Sequence, residues 1–224
     1  VLYYSTNIGV ICAVDAVTGT IIWESAYVQE GIPSTDSPIT RERHPGWMPS
    51  RPAIVGDKVF IAPTDSMNLY ACAKDTGELS RVGIGTRTAT SKNHYFLGEH
   101  GGLLLVAGRK ITAIRPDDFG EEWSSVELGS QYDRSAIQGA PTVIGNDIVF
   151  CTATGNGNAN HINRVDLRNG SFVQQERMPY ANREGNVVVS SDAIVIAGQQ
   201  SIDAYFDLED VERRLDQASR LAGS

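Results

Sequence analysis

A strand, turn and strand unit recurs along this chain, and that self-similarity limits the fold more than any other feature. Pro52 to Ile61 reads PAIVGDKVFI and Pro141 to Phe150 reads PTVIGNDIVF, a class-by-class match 89 residues apart. Tyr95 to Ala107 (YFLGEHGGLLLVA) repeats the pattern with a slightly longer turn, and Asn186 to Ala197 (NVVVSSDAIVIA) repeats it again. The unit is therefore about 45 residues long. Gly56-Asp57 and Gly145-Asn146 are expected to supply the positive-φ residues of tight hairpin turns.

Each unit continues into a third strand and a turn carrying Gly19, Gly77, Gly120 or Gly170. Their uneven spacing reads as loop insertion, not as a broken repeat. Four short antiparallel strands in a unit of this length make a propeller blade, a sheet too small to bury both faces unless it stacks on neighbours. Twenty-two glycines and many short Val, Ile and Tyr runs favour strands and turns over helices. A β-sandwich is the competing all-β answer, and it ranks second because it predicts no repeated turn chemistry. The expected fold class is an all-β propeller of about five partial or complete four-stranded antiparallel blades, with a C-terminal helix.

The segment Ala13 to Trp23 spells AVDAVTGTIIW. With Ala13, Asp15, Thr18, Gly19 and Trp23 at their defined places, it resembles the tryptophan-docking repeat of quinoprotein alcohol dehydrogenases and their non-enzymatic relatives, the pyrroloquinoline-quinone-like propeller family. The resemblance implies that Trp23 stacks on the neighbouring blade while Asp15 and Thr18 hold the turn through backbone hydrogen bonds, as turn chemistry would also predict. Later copies decay. The second keeps Ala71, Thr76 and Gly77 but has Ala73 for Asp and Arg81 for Trp; the third has Ala113, Gly120 and Trp123 with one extra turn residue and an early Trp. The fourth keeps Asp166 and Gly170, with Asn169 for Thr and Gln174 for Trp. The resemblance extends from Val1 to about Tyr205. Relatives commonly close with eight blades, so the chain, which starts at Val1 in mid-strand, reads as an excerpt of a larger propeller.

The last segment differs in kind. Asp207, Leu208, Asp210, Val211, Leu215, Ala218 and Ala222 give an Asp-capped pattern with three- and four-residue apolar spacing, so Asp207 to Leu221 is expected to be helical. The expected division is residues 1–206 for the repeats and 207–224 for the helix, which covers a propeller end or leads to an adjoining domain.

Charge excludes one function class. A net charge of −8 without a lysine-rich run argues against a nucleic-acid surface. No apolar stretch is long enough to cross a bilayer. Cys12, Cys72 and Cys151 lie far apart inside apolar runs and read as buried reduced thiols, without metal-ligand spacing. His44, His94, His100 and His161 are scattered, and the expectation is that no metal binds.

Family members that hold the quinone use an adjacent Cys-Cys pair, a calcium held by acidic and Asn side chains, and a catalytic Asp; no Cys-Cys dipeptide occurs here. The expectation is no cofactor and no catalytic residue. The segment Thr154 to His161 (TGNGNANH) lacks the Lys and following helix of a phosphate loop, so it reads as a long turn whose Asn156 and Asn158 could contact a ligand.

The Pro-rich insertion Val28 to Arg51 is longer than ordinary blade connections, and long loops on rigid scaffolds carry binding residues. Arg41, Arg43, His44 and Trp47 are its candidate partner contacts, since Trp and Arg anchor interfaces. The alternatives are a solvated basic cluster and a Trp47 folded back over a blade edge. A polar loop, Gly83 to Asn93, follows the second repeat. The functional expectation is a binding or assembly scaffold outside the cytoplasm, working with a protein partner or adjoining domain. A fragment of a quinone-dependent dehydrogenase and a sensor propeller on a signalling domain are the alternatives.

Overall fold

The computed structural model describes residues 1–6, 8–29, 47–66, 68–82, 95–108, 110–125, 137–153, 160–178, 185–190, 193–198, 201–206 and 212–213. Their strands form five antiparallel sheets, each a meander of consecutive neighbours. Blade 1 has three strands, β1 (Leu2–Ser5), β2 (Val10–Val14) and β3 (Ile21–Ala26). Blade 2 has four, β4 (Ala53–Val55), β5 (Lys58–Ile61), β6 (Leu69–Ala73) and β7 (Leu79–Val82). Blade 3 follows with β8 (Tyr95–His100), β9 (Leu103–Ala107), β10 (Ile111–Ile114) and β11 (Glu121–Ser124). Blade 4 comprises β12 (Ile137–Ile144), β13 (Asp147–Ala153), β14 (Asn160–Asp166) and β15 (Phe172–Arg177). Blade 5 has three strands, β16 (Gly185–Val189), β17 (Ala193–Gly198) and β18 (Ile202–Phe206). This is the all-β, blade-built architecture expected from the repeat.

The chain divides into two compact units, Val1–Glu127 with blades 1 to 3 and Leu128–Ser224 with blades 4 and 5. In the first unit two apolar layers hold the blades together. Ile11, Ala13 and Trp23 of blade 1 pack on Val59, Ile61, Tyr70 and Cys72 of blade 2. The opposite face of blade 2, with Phe60, Leu69 and Ala71, packs on Phe96, Leu104 and Val106 of blade 3. Strand alternation makes this possible, because Val59 and Phe60 point to opposite faces and each face finds a neighbour. In the second unit, Val149 and Cys151 of blade 4 meet Val187 and Ile196 of blade 5.

The hairpin turns correct the sequence reading in detail. At Gly56-Asp57 and Gly145-Asn146 only the glycine has positive φ, 58° and 56°, which is the sign pattern of a type II′ turn. In blade 3 the turn is no longer than the others. Gly101 and Gly102, at φ 60° and 82°, form a two-residue loop, and the extra residue is a bulge at Gly98 (φ 94°), where the β8–β9 register shifts. The bulge keeps both hairpin faces in phase with the blade.

Cys72 and Cys151 are buried free thiols, whereas Cys12 is only half-buried. The expected C-terminal helix lies outside the described residues except for Glu212 and Arg213, which are helical. Among the described residues no helix is long and apolar enough to cross a membrane.

Phe60 is fully buried in the layer between blades 2 and 3. Phe60→Ala is expected to lower unfolding stability in urea by about 3–5 kcal/mol. Ile54→Ala, on the same blade but 53% exposed, is expected to stay within about 1 kcal/mol of the unchanged protein.

Candidate functional site

The chemistry of the motif residues is concentrated at the corner where each blade's last two strands turn. In blade 1 the Asp15 carboxylate accepts from the Val17 and Thr18 amides, both at 2.8 Å. Those bonds hold its proton affinity below the ordinary range. Gly19 N–H donates to the Asp15 carbonyl at 2.9 Å, and Asp15 N–H donates to Thr20 at 2.8 Å, closing the turn. Thr18 Oγ1 accepts from Thr20 N–H at 3.3 Å. The corner therefore satisfies its own polar groups and leaves β3 rigidly placed.

Its product is the position of Trp23. The indole Nε1 donates to the Lys74 carbonyl of blade 2 at 2.9 Å, and Ser25 Oγ donates to the Gly77 carbonyl at 2.5 Å. The ring lies directly on Gly77, where an added Cβ would come within 2.5 Å of Cε3 and 2.6 Å of Cδ2. Gly77 also has φ 72°, so glycine is required twice, by conformation and by contact. Tyr3 flanks the indole with ring centroids 6.0 Å apart.

A second clasp joins the same blades at their other end. Asp65, in the β5–β6 connection, accepts from Gly9 N–H at 3.1 Å, from Gln29 Nε2 at 2.8 Å and from the Tyr27 hydroxyl. The Thr6 carbonyl lies 2.8 Å from the same hydroxyl and shares its single proton with Asp65. Burial, reinforced by the Asp65 carboxylate, pushes the Tyr27 hydroxyl well above the usual phenol range, so it stays protonated as a donor. Sequence reading missed Asp65 and Tyr27, since a lone Asp in a loop carries no local signature.

The third corner contains no extra residue. Phe119 N–H donates to the Arg115 carbonyl at 3.0 Å and Arg115 N–H donates to Gly120 at 2.9 Å, the bonds made by Gly19 and Asp15 in blade 1. Ala113 pairs with Trp123 as Ala13 pairs with Trp23. Trp123 is thus in place, and Phe119 at φ 60° stands where Gly19 stands at φ 73°. A side chain in that conformation costs about 1–2 kcal/mol.

The offset is aromatic packing. Phe119 meets Phe60 edge to face at 6.3 Å, and the Lys58 ammonium lies 5.7 Å over its ring. In blade 2 the register sets Ser80 opposite Ala71, where blade 1 sets Trp23 opposite Ala13, and Arg81 pairs with Tyr70, so the seam between blades 2 and 3 takes its aromatic from the opposite side. Arg115, in place of Asp, grips Asp118 at 3.0 Å and Glu122 at 2.9 Å.

The fourth corner returns to the parent chemistry. Asp166 N–H donates to the Ser171 carbonyl and Gly170 N–H to the Asp166 carbonyl. Asn169 Oδ1 accepts from Ser171 N–H at 2.9 Å, replacing the Thr hydroxyl. The Arg168 side chain and amide both donate to Asp166, lowering its pKa to about 2. Gln174 pairs with Arg164 in the register of Trp23 with Ala13.

The expected partner contacts separate. Trp47 is a correction: only 3% exposed, it packs with Phe60, Leu69, Phe96 and Leu104 in the layer between blades 2 and 3, with its Nε1 buried and unpaired. Covering an open seam buries more apolar area than a ring held in water, so the fold-back alternative prevails. Arg41, Arg43, His44, Asn156 and Asn158 lie outside the described residues. Among the described residues no group of three or more His, Cys, Asp or Glu side chains is placed to hold a metal. The three thiols belong to three different sheets, and burial raises Cys72 and Cys151 to about 12. These residues do not fit the quinone site described for dehydrogenase relatives.

A family model described as outer membrane protein assembly factor BamB matches residues 1–213. Among solved structures, the extracellular domain of a hybrid two-component system from B. thetaiotaomicron is similar at 19% identity and a TM-score of 0.55, over 91% of this chain and 26% of that one. A quinohemoprotein alcohol dehydrogenase from Pseudomonas putida HK5 matches at 14% identity over 65% of this chain and 27% of its own, with a TM-score of 0.48. A europium-containing methanol dehydrogenase matches at 17% identity, 63% and 26% coverage, and a TM-score of 0.43. The chain spans about a quarter of the length of these structures. Comparison with curated protein sequences returns no match.

Two measurements check the corner. Gly19 and Gly77 share their φ, but a Cβ on Gly19 meets nothing within 4 Å. Gly19→Ala is expected to cost about 1–2 kcal/mol, and Gly77→Ala about 1–3 kcal/mol beyond that. Adding Trp23→Ala to Gly77→Ala should abolish the extra cost in a double-mutant cycle read by urea unfolding. The second concerns pH. Asp166 binds its proton more weakly folded than unfolded, so its contribution is complete above about pH 4. That contribution is lost as pH falls towards its folded pKa of about 2. Asp166→Asn should flatten this acid limb in melts taken across that window.

Proposed function

The chain belongs to the family described as outer membrane protein assembly factor BamB, and on that premise we propose that it is a non-catalytic propeller scaffold that binds a protein partner outside the cytoplasm. The observation that carries this reading is the family match across residues 1–213, which takes in all five blades. The seams add support. Motif side chains at the described corners, Asp15, Trp23 and Asp166, and Asp65 at the other end of blades 1 and 2, are each committed to neighbouring groups that hold blades and turns. Such rigid stacking suits a surface that presents loops to another protein.

In this reading the contacts come from the insertion bearing Arg41, Arg43 and His44, and from Asn156 and Asn158 in the β13–β14 connection. Trp47 serves differently: its burial between blades 2 and 3 anchors the end of the insertion to the scaffold. The basic residues stand out in a chain of net charge −8, which gives them directional value for an acidic patch on the partner.

A photocrosslinking side chain placed at position 41 or 156 of the protein in its own cell is expected to yield discrete adducts with one extracytoplasmic protein. Arg41→Glu with Arg43→Glu should reduce their yield by about tenfold or more. Absence of adducts at both positions would overturn the scaffold reading. A rise in melting temperature on adding pyrroloquinoline quinone with Ca²⁺ would transfer the protein to the dehydrogenase class, since a bound ligand stabilises by mass action.

A further inference from the structure

The corner between the last two strands of blades 1 to 4 carries one recurring side-chain bond. Thr18 Oγ1 accepts from Thr20 N–H at 3.3 Å, and Thr76 Oγ1 from Glu78 N–H at 3.3 Å. Asp118 Oδ1 accepts from Gly120 N–H at 2.9 Å, and Asn169 Oδ1 from Ser171 N–H at 2.9 Å. In each corner the residue after that side chain donates its N–H back across the turn: Gly19 to Asp15 at 2.9 Å, Gly77 to Ala73 at 2.8 Å, Phe119 to Arg115 at 3.0 Å and Gly170 to Asp166 at 2.8 Å. One geometry therefore seats Thr, Thr, Asp and Asn in turn.

Their chemistry is unlike. A hydroxyl cannot close a ring on the next amide nitrogen, and an ionised carboxylate such as that of Asp118 has no group to expel. Asn169 alone of the four carries a carboxamide, and the residue after it is glycine, whose nitrogen no side chain crowds. The Ser171 bond curls that carboxamide over the Gly170 peptide and polarises its carbonyl. The Asp166 bond restrains the pair, because the Gly170 nitrogen is held against a carbonyl, and Gly170 is buried while Asn169 is exposed. The electrophile is presented and the nucleophile is withheld.

We infer that Asn169 is a self-modification site, whose carboxamide closes a cyclic imide on the Gly170 nitrogen when the fourth corner loosens and then opens to aspartyl or isoaspartyl. Hydroxide takes the Gly170 N–H proton, the nitrogen bonds to Asn169 Cγ, and the bond from Cγ to Nδ2 breaks. Nδ2 takes up a proton from water and leaves as ammonia. Water then splits the imide. Cleavage between Cγ and the Gly170 nitrogen gives Asp, whereas cleavage at the Asn169 main-chain carbonyl gives isoaspartyl, whose main chain runs through Cβ and Cγ. The aspartyl product keeps the acceptor for Ser171, as Asp118 does for Gly120 in blade 3. The isoaspartyl product lengthens the turn by one methylene and disturbs the register that sets Gln174 opposite Arg164. Because a local segment opens more readily than the whole fold, the corner sets the pace of the reaction. The inference is independent of the scaffold reading, since it uses the chemistry of one turn.

The test incubates the folded 224-residue chain in mildly alkaline buffer beside the same chain in urea. The Asn169 peptide is followed by mass spectrometry that separates its Asn, Asp and isoaspartyl forms. Asn156-Gly157, the other Asn-Gly pair, lies outside the described residues and falls to a separate reading of its own peptide. The folded chain is expected to convert at Asn169 about tenfold or more slowly than the unfolded one, with both Asp and isoaspartyl formed. Asp166→Ala removes the acceptor of the Arg168 amide and should quicken conversion in the folded chain about tenfold. Asn169→Thr restores the Thr18 chemistry and should keep the melting temperature while showing no conversion at that position. No conversion in the folded parent, equal rates in folded and unfolded chains, Asp without isoaspartyl, or an Asp166→Ala chain no faster than the parent overturns the inference. The first three outcomes need only the parent chain, so they decide even if Asp166→Ala folds poorly.

Discussion

The packing of blade 1 on blade 2 depends on the seating of one indole on one glycine. A three- or four-stranded sheet cannot bury both faces by itself, so each blade's stability is held in the layer it shares with the next. Trp23 on Gly77 sets the spacing of that layer, because the ring thickness and the missing Cβ determine how close the sheets come. The bond from its Nε1 to the Lys74 carbonyl then gives the contact a direction that packing alone lacks. The Asp65 clasp at the other end stops the blades from pivoting about the indole.

The repeat tolerates decay in its sequence because the seam needs an aromatic group and does not specify which blade supplies it. With Ser80 opposite Ala71 where blade 1 has Trp23 opposite Ala13, the next seam takes a ring from the other side, Phe119, which meets Phe60 and lies beneath Lys58. The left-handed conformation that normally asks for glycine is kept, and its cost is set against the packing of a half-buried ring. Likewise Arg115 exchanges the charge of the corner while its salt bridges to Asp118 and Glu122 hold the turn. Corner geometry persists from blade to blade while residue identity drifts.

Under the proposed scaffold reading, specificity is carried by the loops. The described residues account for how the blades are held, and the proposed partner contacts fall on the two long connections beside them. Trp47 connects the two roles. It lies within the insertion and packs in the layer between blades 2 and 3.

Fold class, repeat length and the complete motif from Ala13 to Trp23 were legible in the residues, since alternation and turn chemistry are local properties that short windows express. The glycine hairpins at Gly56 and Gly145 and the Asp15 turn were readable for the same reason. What the sequence could not decide were relations between distant segments. That Trp47 is core, that Phe119 replaces both a glycine and a missing tryptophan, and that Asp65 clasps Gly9 and Gln29 all depend on which faces meet. Those pairings lie tens of residues apart, with no periodicity between them, and only stacking of the sheets brings them within reach.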